Sequence, residues 1–174
     1  MFPTVLQDDL IKDLKELFKG YRLEAPDSKA GTRGIQVFPQ ELPQPQQQEQ
    51  EGIPPELLEN GLAGDVTENN PYPYIIVRII DGEIKDMREA QTVSVLLLIG
   101  VYDSGNERQG HKKVLDIIST IFDRYANKPI LNKKHRLLWP IEWTLQDEES
   151  HPYYFGGMET KWEVAGIEAE DRYA

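Results

Sequence analysis

Two stretches of the chain carry apolar residues at helical spacing, and each therefore predicts a helix with one apolar face. The first lies near the amino terminus, where Thr4 is placed to cap the helix and Gly20 to end it. The second is predicted to be capped by Asn106 and to stop at Asn127 and Pro129. The apolar positions are Leu6, Leu10, Leu14, Leu17 and Phe18 in the first helix and Val114, Ile117, Ile118, Ile121, Phe122 and Tyr125 in the second.

Two further stretches, 74–80 and 92–102, are rich in β-branched residues and apolar at successive positions. This pattern is typical of central strands that are covered on both faces. The segment between them opens with Asp81-Gly82 and is otherwise charged, so it predicts an antiparallel hairpin with a projecting tip.

Apolar and polar residues alternate in 137–146 and again in 158–164, which predicts a second hairpin with one solvated face. Pro140 cannot donate a ladder hydrogen bond, so its strand is expected at an edge of the sheet. The apolar positions include three tryptophans, for which core packing is the favoured interpretation and a ligand or partner groove the alternative. These are Trp139, Trp143 and Trp162.

Between the first helix and the first hairpin, a short strand is expected near Ile35–Phe38, followed by a segment with little apolar periodicity. Because the early part of this segment is rich in proline and glutamine, we expect 39–70 to be a flexible loop or linker. The order of elements favours one domain, 1–174, of α+β class. The expected core is a four-stranded, mainly antiparallel sheet made of two hairpins, with both helices packed on one face.

Composition limits the functional classes. The net charge is −11, which disfavours direct nucleic-acid binding, and the absence of cysteine excludes disulfides and thiolate metal sites. No apolar run is long enough to span a bilayer, and the acidic start does not resemble a signal peptide. A soluble, cytoplasmic protein without a membrane partner is expected.

Charge is unevenly distributed, since the basic segment 104–136 lies between two acidic ones. We predict that this segment contacts an acidic surface on a neighbouring copy, such as Asp147–Glu149 or Glu168–Asp171. Two unlike surfaces of this kind give a head-to-tail contact that can close into a ring. An ordinary solvated surface is the alternative. The predicted interface residues are Arg108, Lys112, Lys113, Lys133 and Lys134 on the basic side and Asp147, Glu148 and Glu149 on the acidic side.

Candidate chemistry is weak. Gly105–Lys112 has the glycine spacing of a phosphate-binding loop, but His111 stands in place of the lysine and Lys112 in place of the serine or threonine. His111, His135 and His151 show no metal-ligand spacing, and adjacent carboxylates in a turn are expected to be solvated. No catalytic residue, cofactor or metal ligand is predicted, and the protein is not expected to be an enzyme.

Two proline-aromatic clusters, Pro71–Tyr74 and Pro152–Phe155, each lie at a predicted hairpin strand. Proline limits ladder bonding and aromatic rings carry much apolar area, so these clusters are expected at the rim of the sheet. Their Tyr72 and Tyr153 are added to the predicted interface.

Taken together, five segments resemble the tail terminator proteins of siphophages and Gram-positive prophages, also described as minor tail or tail completion proteins. The resemblance covers about 71–168 and includes the helix at 106–127. It implies a hexameric ring that caps the tail tube, ends its polymerisation and docks to the head connector, with no catalytic residues. The segments are Pro71–Arg78, Thr92–Asp103, Trp139–Trp143, Pro152–Gly156 and Met158–Trp162.

The partners implied by this resemblance are further copies of the chain, the tail tube protein and the head-tail connector protein. Its location would be the host cytoplasm during assembly and then the virion tail. Another head-tail connector or tail component is the alternative, and a small ligand-binding enzyme that uses the 103–113 loop is a weaker one.

Overall fold

The computed structural model describes residues 2–26, 31–44 and 70–165, which form two helices and eight strands. The helices are α1 (Phe2–Leu17) and α2 (Gly110–Asn127). The strands are β1 (Arg22–Glu24), β2 (Thr32–Gly34), β3 (Gln36–Pro39), β4 (Tyr74–Glu83), β5 (Gln91–Tyr102), β6 (Ile130–Leu131), β7 (His135–Leu145) and β8 (Tyr153–Val164). The α+β class is confirmed.

The main sheet has six strands, in the order β3-β4-β5-β8-β7-β6, and curls into a half-barrel, whereas β1 and β2 form a separate pair. The β3–β4 pairing is parallel and all others are antiparallel. The two predicted hairpins are its four central strands, but the prediction of a four-stranded sheet is wrong. It missed β6, whose two residues are too few for an alternation, and the pairing of β3, whose partner begins at Tyr74, far along the chain.

A single core holds both helices against one face of the sheet. In β5 the odd-numbered residues from Val93 to Val101 point into this core, as expected for a strand with period two. The helix stripes are buried as predicted, except that Leu17 is only partly buried and Phe122 is 41% exposed. Each fully buried aliphatic or aromatic side chain contributes roughly 1.5–3 kcal/mol. The fully buried helix residues include Leu6, Leu10, Leu14, Val114 and Ile121.

Both predicted helix caps are wrong. Helix α1 begins at Phe2, ahead of Thr4, and α2 begins at Gly110 rather than next to Asn106. Close packing favours glycine at the first position of α2, because the ring of Tyr154 occupies the space that a Cβ at Gly110 would need. The predicted stop at Asn127 is confirmed.

Polar contacts tie α1 to helix α2 and to strand β7. Arg124 of α2 donates from Nη2 to Asp13 at 2.6 Å and from Nε to the second carboxylate oxygen at 3.3 Å. One turn away, Asp9 lies 2.9 Å from Nε2 of His135, which is 1% exposed, and accepts a hydrogen bond from Asn132. These bonds fix the orientation of α1 across the core.

The start of the predicted 39–70 linker continues the contact of β3 with β4. Gln40 donates its backbone N–H to Val77 and exchanges two side-chain hydrogen bonds of 3.1 Å with the backbone of Ile79. Residues 45–69 of this linker, like the acidic segment Glu168–Asp171, lie outside the described residues. Neither of the described helices is long and apolar enough to cross a membrane.

Candidate self-association surfaces

The two proline-aromatic clusters meet at one end of the main sheet. Because β5 lies between β4 and β8, its Gly100 is paired with Tyr74 on one side and with Phe155 on the other. The ring of Tyr72 lies 5.1 Å from that of Tyr74 and 4.8 Å from that of Tyr153. Tyr102 adds a further ring, 5.5 Å from Tyr153. We call Tyr72, Tyr74, Tyr102, Tyr153 and Phe155 the aromatic cluster.

This cluster is held together by close packing. Gly100 is required within it, since the ring of Tyr74 fills the space of a Cβ at that position. Burial raises the pKa of Tyr72 and, together with the neighbouring Tyr72 hydroxyl, that of Tyr74. Tyr72 and Tyr153, both predicted as interface residues, are half-buried here against each other.

Beside the aromatic cluster, charged groups of both signs line an open cavity of about 350 Å³. Its lining includes Arg108 from the segment between β5 and α2, His111 from the first turn of α2, and Asp147–Glu149 and His151 from the β7–β8 turn. The sequence analysis placed Arg108 opposite these carboxylates across two copies. The fold already brings them together within one subunit.

Lys113 also has a partner within its own subunit. Its ammonium lies 3.2 Å from a carboxylate oxygen of Asp103, whose other oxygen accepts the backbone N–H of Gly105 at 2.9 Å. Burial alone would raise the pKa of Asp103, but these two contacts outweigh it, so the pKa lies below its usual value. Lys112, the residue before Lys113 in the sequence, is exposed.

The remaining predicted cations, Lys133 and Lys134, are exposed in the β6–β7 turn. Strand β7 runs for 11 residues from this turn to the acidic Asp147–Glu149 loop, a length of roughly 35 Å. Lys133 and Lys134 therefore lie at one end of β7, and Asp147–Glu149 follow its other end.

Strand β7 is an edge over most of its length, as Pro140 predicted. Short β6 pairs only with His135 and Arg136, and no described strand pairs with the outer side of β7 beyond them. Pro140 lies in a register shift between Leu138 and Glu142, where β7 bulges away from β8. The outer side of β7 is therefore open to a partner.

Two of the three tryptophans are exposed on this edge. Trp139 is 59% and Trp143 57% exposed, so their predicted core packing is wrong, whereas Trp162 is fully buried as predicted. All three occupy apolar positions of an alternating strand. On β7, however, Leu137, Ile141 and Leu145 pack against the core, whereas Trp139 lies beside the exposed Phe122 of α2. There Phe122 meets the indole edge-on, with ring centroids 6.2 Å apart. Ile130 of β6, 60% exposed, lies on the same edge but on the face of the sheet turned away from the core, because it pairs with exposed Arg136 whereas its neighbour Leu131 is buried. We call Phe122, Ile130, Trp139 and Trp143 the β7 edge surface.

The opposite edge of the sheet carries a second exposed apolar surface. Strand β3 and Gln40 cover β4 only as far as Ile79. Beyond that point the β4–β5 hairpin projects, as predicted, with Ile80 49%, Ile84 67% and Met87 80% exposed. We call residues 80–89 the hairpin tip. The sequence carries a signal for these residues, since Ile84 and Met87 are isolated apolar residues within a charged turn.

The remaining candidate chemistry concerns the three histidines. The three histidines are not brought together: His111 and His151 line the charged cavity, while His135 is buried against Asp9. Within 2–26, 31–44 and 70–165, no three histidine or carboxylate side chains are grouped so that they could hold a metal ion. A scan of protein-family models and a search of curated proteins both returned no match to this chain.

Proposed function

We propose that this protein is a structural subunit of a siphophage or prophage tail. Copies form a ring, by resemblance a hexamer, that caps the tail tube, ends its polymerisation and joins it to the head connector. The segments that carry the resemblance lie on β4, β5, β7 and β8, the four central strands of the main sheet, and on α2. The proposal thus draws on one continuous part of the fold.

One observation carries the proposal: the chain exposes apolar side chains on two different edges of the same sheet, the hairpin tip and the β7 edge surface. Isolated exposed apolar residues are ordinary, but clusters of them commonly mark contact sites. Two unlike surfaces on one subunit favour a head-to-tail contact over a two-fold one, and such contacts close into rings when the rotation allows.

Tail length in the phage or prophage that encodes the chain tests this function. A stop codon early in the reading frame should give tail tubes longer than normal and without heads, because nothing ends polymerisation or joins the connector. Supplying the intact chain from a plasmid should restore both length and head attachment. Tails of normal length with heads attached, in the absence of the protein, would contradict the proposal.

A ligand-binding role for the 103–113 loop has one observation in its favour, the 350 Å³ cavity that includes Arg108, His111 and His151. Three carboxylates at Asp147–Glu149 line the same cavity and would repel a phosphate or another anion. Thermal unfolding with nucleotides and divalent cations separates the two roles. A specific ligand at a hundred times its dissociation constant adds about 2.7 kcal/mol to the free energy of unfolding, and we expect no such shift.

A further inference from the structure

The exposed apolar residues of the described chain are concentrated at the two lateral edges of the main sheet. On the β4 side they are Ile80, Ile84 and Met87, and on the β7 side Ile130, Trp139 and Trp143, with exposures of 49–80%. The other large apolar side chains that are exposed among the described residues, Val5, Tyr21 and Phe122, reach only 36–41%, and Phe122 touches Trp139. The two edges thus offer comparable apolar area.

The two edges also match in height along the strands. One continuous row of paired residues crosses the sheet from Glu83 through Thr92, Glu163 and Arg136 to Ile130. Ile84 therefore lies one residue from the row that ends at Ile130 on the other edge. Two surfaces at the same height can be brought together by rotating one copy relative to the next, without also shifting it along the strand direction. A closed ring requires such a rotation without a shift.

Charge on the two edges is complementary. The hairpin tip carries four carboxylates, from Asp81, Glu83, Asp86 and Glu89, against two cations, Lys85 and Arg88, and all six are exposed. Three exposed lysines flank β6 on the other edge. None of the three forms an ion pair with another residue of the described segments. They are Lys128, Lys133 and Lys134.

The form of the contact follows from the irregularity of β7. Pro140 has no N–H to donate, and the bulge between Leu138 and Glu142 interrupts the regular spacing of the strand. Both features oppose the addition of another strand by a continuous ladder. Side chains must then make the contact, and a flexible methionine such as Met87 packs well on an indole.

We propose that the hairpin tip of one copy docks on the β7 edge surface of the next. Ile84 and Met87 lie against Ile130 and Trp139, and the tip carboxylates face Lys133 and Lys134. The contact is head-to-tail, so each subunit uses one edge to receive a neighbour and the other to reach the next. This inference rests on the proposed ring and assigns its subunit contact, which differs from the contact that the sequence analysis predicted between Arg108 and Asp147–Glu149.

Disulfide cross-linking tests the contact cleanly, because the chain has no cysteine of its own. The double variant Ile84→Cys/Ile130→Cys is oxidised at a concentration where the protein is assembled, judged by light scattering. A head-to-tail contact should give a ladder of cross-linked species in steps of 20.0 kDa that ends at the closed ring. The matched control is Ile84→Cys/Glu107→Cys, whose second site is exposed at the far end of the sheet. Its cross-linking should be lower by about tenfold or more.

A charge exchange provides a second test with surface residues only. Lys133→Glu/Lys134→Glu should raise the concentration needed for half-assembly by about tenfold, as expected for the loss of two exposed ion pairs and their reversal. Mixing this variant with a Glu83→Lys/Glu89→Lys variant should restore mixed assemblies. Failure of the exchange to restore assembly would overturn the proposed pairing of these charges.

The outcomes separate this contact from the proposed function. A ladder of cross-linked species supports the contact. If the cross-linked protein neither binds nor caps tail tubes, the contact is still supported but the proposed function is contradicted. Assembly without a ladder overturns the contact and leaves the function standing. A strict monomer, in solution and in the presence of tail tubes, overturns both.

Discussion

Single residues in the aromatic cluster show how close packing positions the end of the sheet. Gly100 lies within β5, two residues before the strand ends, where glycine is usually unfavourable, yet the ring of Tyr74 lies directly over it. The same relation holds for Gly110 and the ring of Tyr154 at the start of α2. In both places a glycine leaves room for an aromatic ring. The apolar periodicity of the sequence does not indicate these contacts.

Gly100→Ala should destabilise the fold by about 1–3 kcal/mol, because the added methyl group displaces the buried Tyr74 ring. Urea unfolding followed by circular dichroism measures the loss. Gly20→Ala is the control, since a Cβ at Gly20 has no neighbour within 4 Å, and it should change the free energy of unfolding by less than about 1 kcal/mol. Equal effects of the two substitutions would contradict the packing account.

Asp103→Asn should destabilise the protein at neutral pH and have progressively less effect as the pH falls. The pKa of Asp103 is depressed in the folded chain, so its contribution is complete above the unfolded pKa, about 4, and is lost as the carboxylate is protonated below that. Chemical denaturation at pH 7 and pH 3 checks this. Asp116→Asn, at an exposed position of α2, is the control. A difference between Asp103→Asn and the parent chain that persists unchanged at pH 3 would refute this role for Lys113 and Gly105.

At the scale of elements, α1 depends on polar contacts as well as on its apolar stripe. The bidentate pair between Asp13 and Arg124 is only partly exposed, and each carboxylate oxygen has its own N–H donor. The pKa of Arg124 is raised, first by this hydrogen bond and also by the charge of Asp13. Such a pair is worth more than an isolated surface ion pair.

Asp13→Asn should therefore cost about 1–2 kcal/mol of the free energy of unfolding. Glu16→Gln, one turn further along the same helix, is the matched control. Its pair with Lys19 spans 4.0 Å and is largely solvated, with exposures of 73% and 77%, so it should cost less than about 0.5 kcal/mol. Similar losses in the two variants, compared by urea unfolding, would rule out the Arg124 pair as a special constraint on α1.

Periodicity was sufficient for both helices and both hairpins, because each is long enough to repeat its pattern several times. The short strand expected near Ile35–Phe38 is confirmed as β3, but periodicity could not show that it pairs with β4 across a long insertion, and it missed two-residue β6. It also could not separate Trp139 from Trp162, since alternation assigns a strand face but not the extent of the helix that covers it. For the candidate surfaces, Pro140 correctly indicated an edge, whereas the charge blocks suggested a contact between Arg108 and Asp147–Glu149 that the fold makes available within one subunit.

At the scale of the whole molecule, the two ends of the main sheet differ. One end holds the aromatic cluster and the charged cavity, where groups of opposite sign line a common space. The other holds the hairpin tip and the β6–β7 turn, whose charges face outward. A ring built through the second end would leave the aromatic end free on every subunit, and this end is then available to the tube or the connector.

Ring formation should change the surroundings of two of the three tryptophans. Trp139 and Trp143 are exposed in the isolated subunit and Trp162 is buried, so quenching of fluorescence by acrylamide should decrease as the protein concentration is raised through assembly. In a Trp139→Phe variant the decrease should be clearly smaller, while Trp162 continues to report the folded core. Quenching that is independent of concentration in a protein that assembles would show that the β7 edge surface stays open.

Electron microscopy of tail tubes mixed with the purified protein tests the central claim most directly. The claim is that copies of this chain form a ring at one end of the tube and stop its growth. The account predicts an annular cap at a single end of each tube, together with tubes that no longer lengthen. Tubes that continue to grow with both ends bare, or protein distributed along the whole tube, would contradict it.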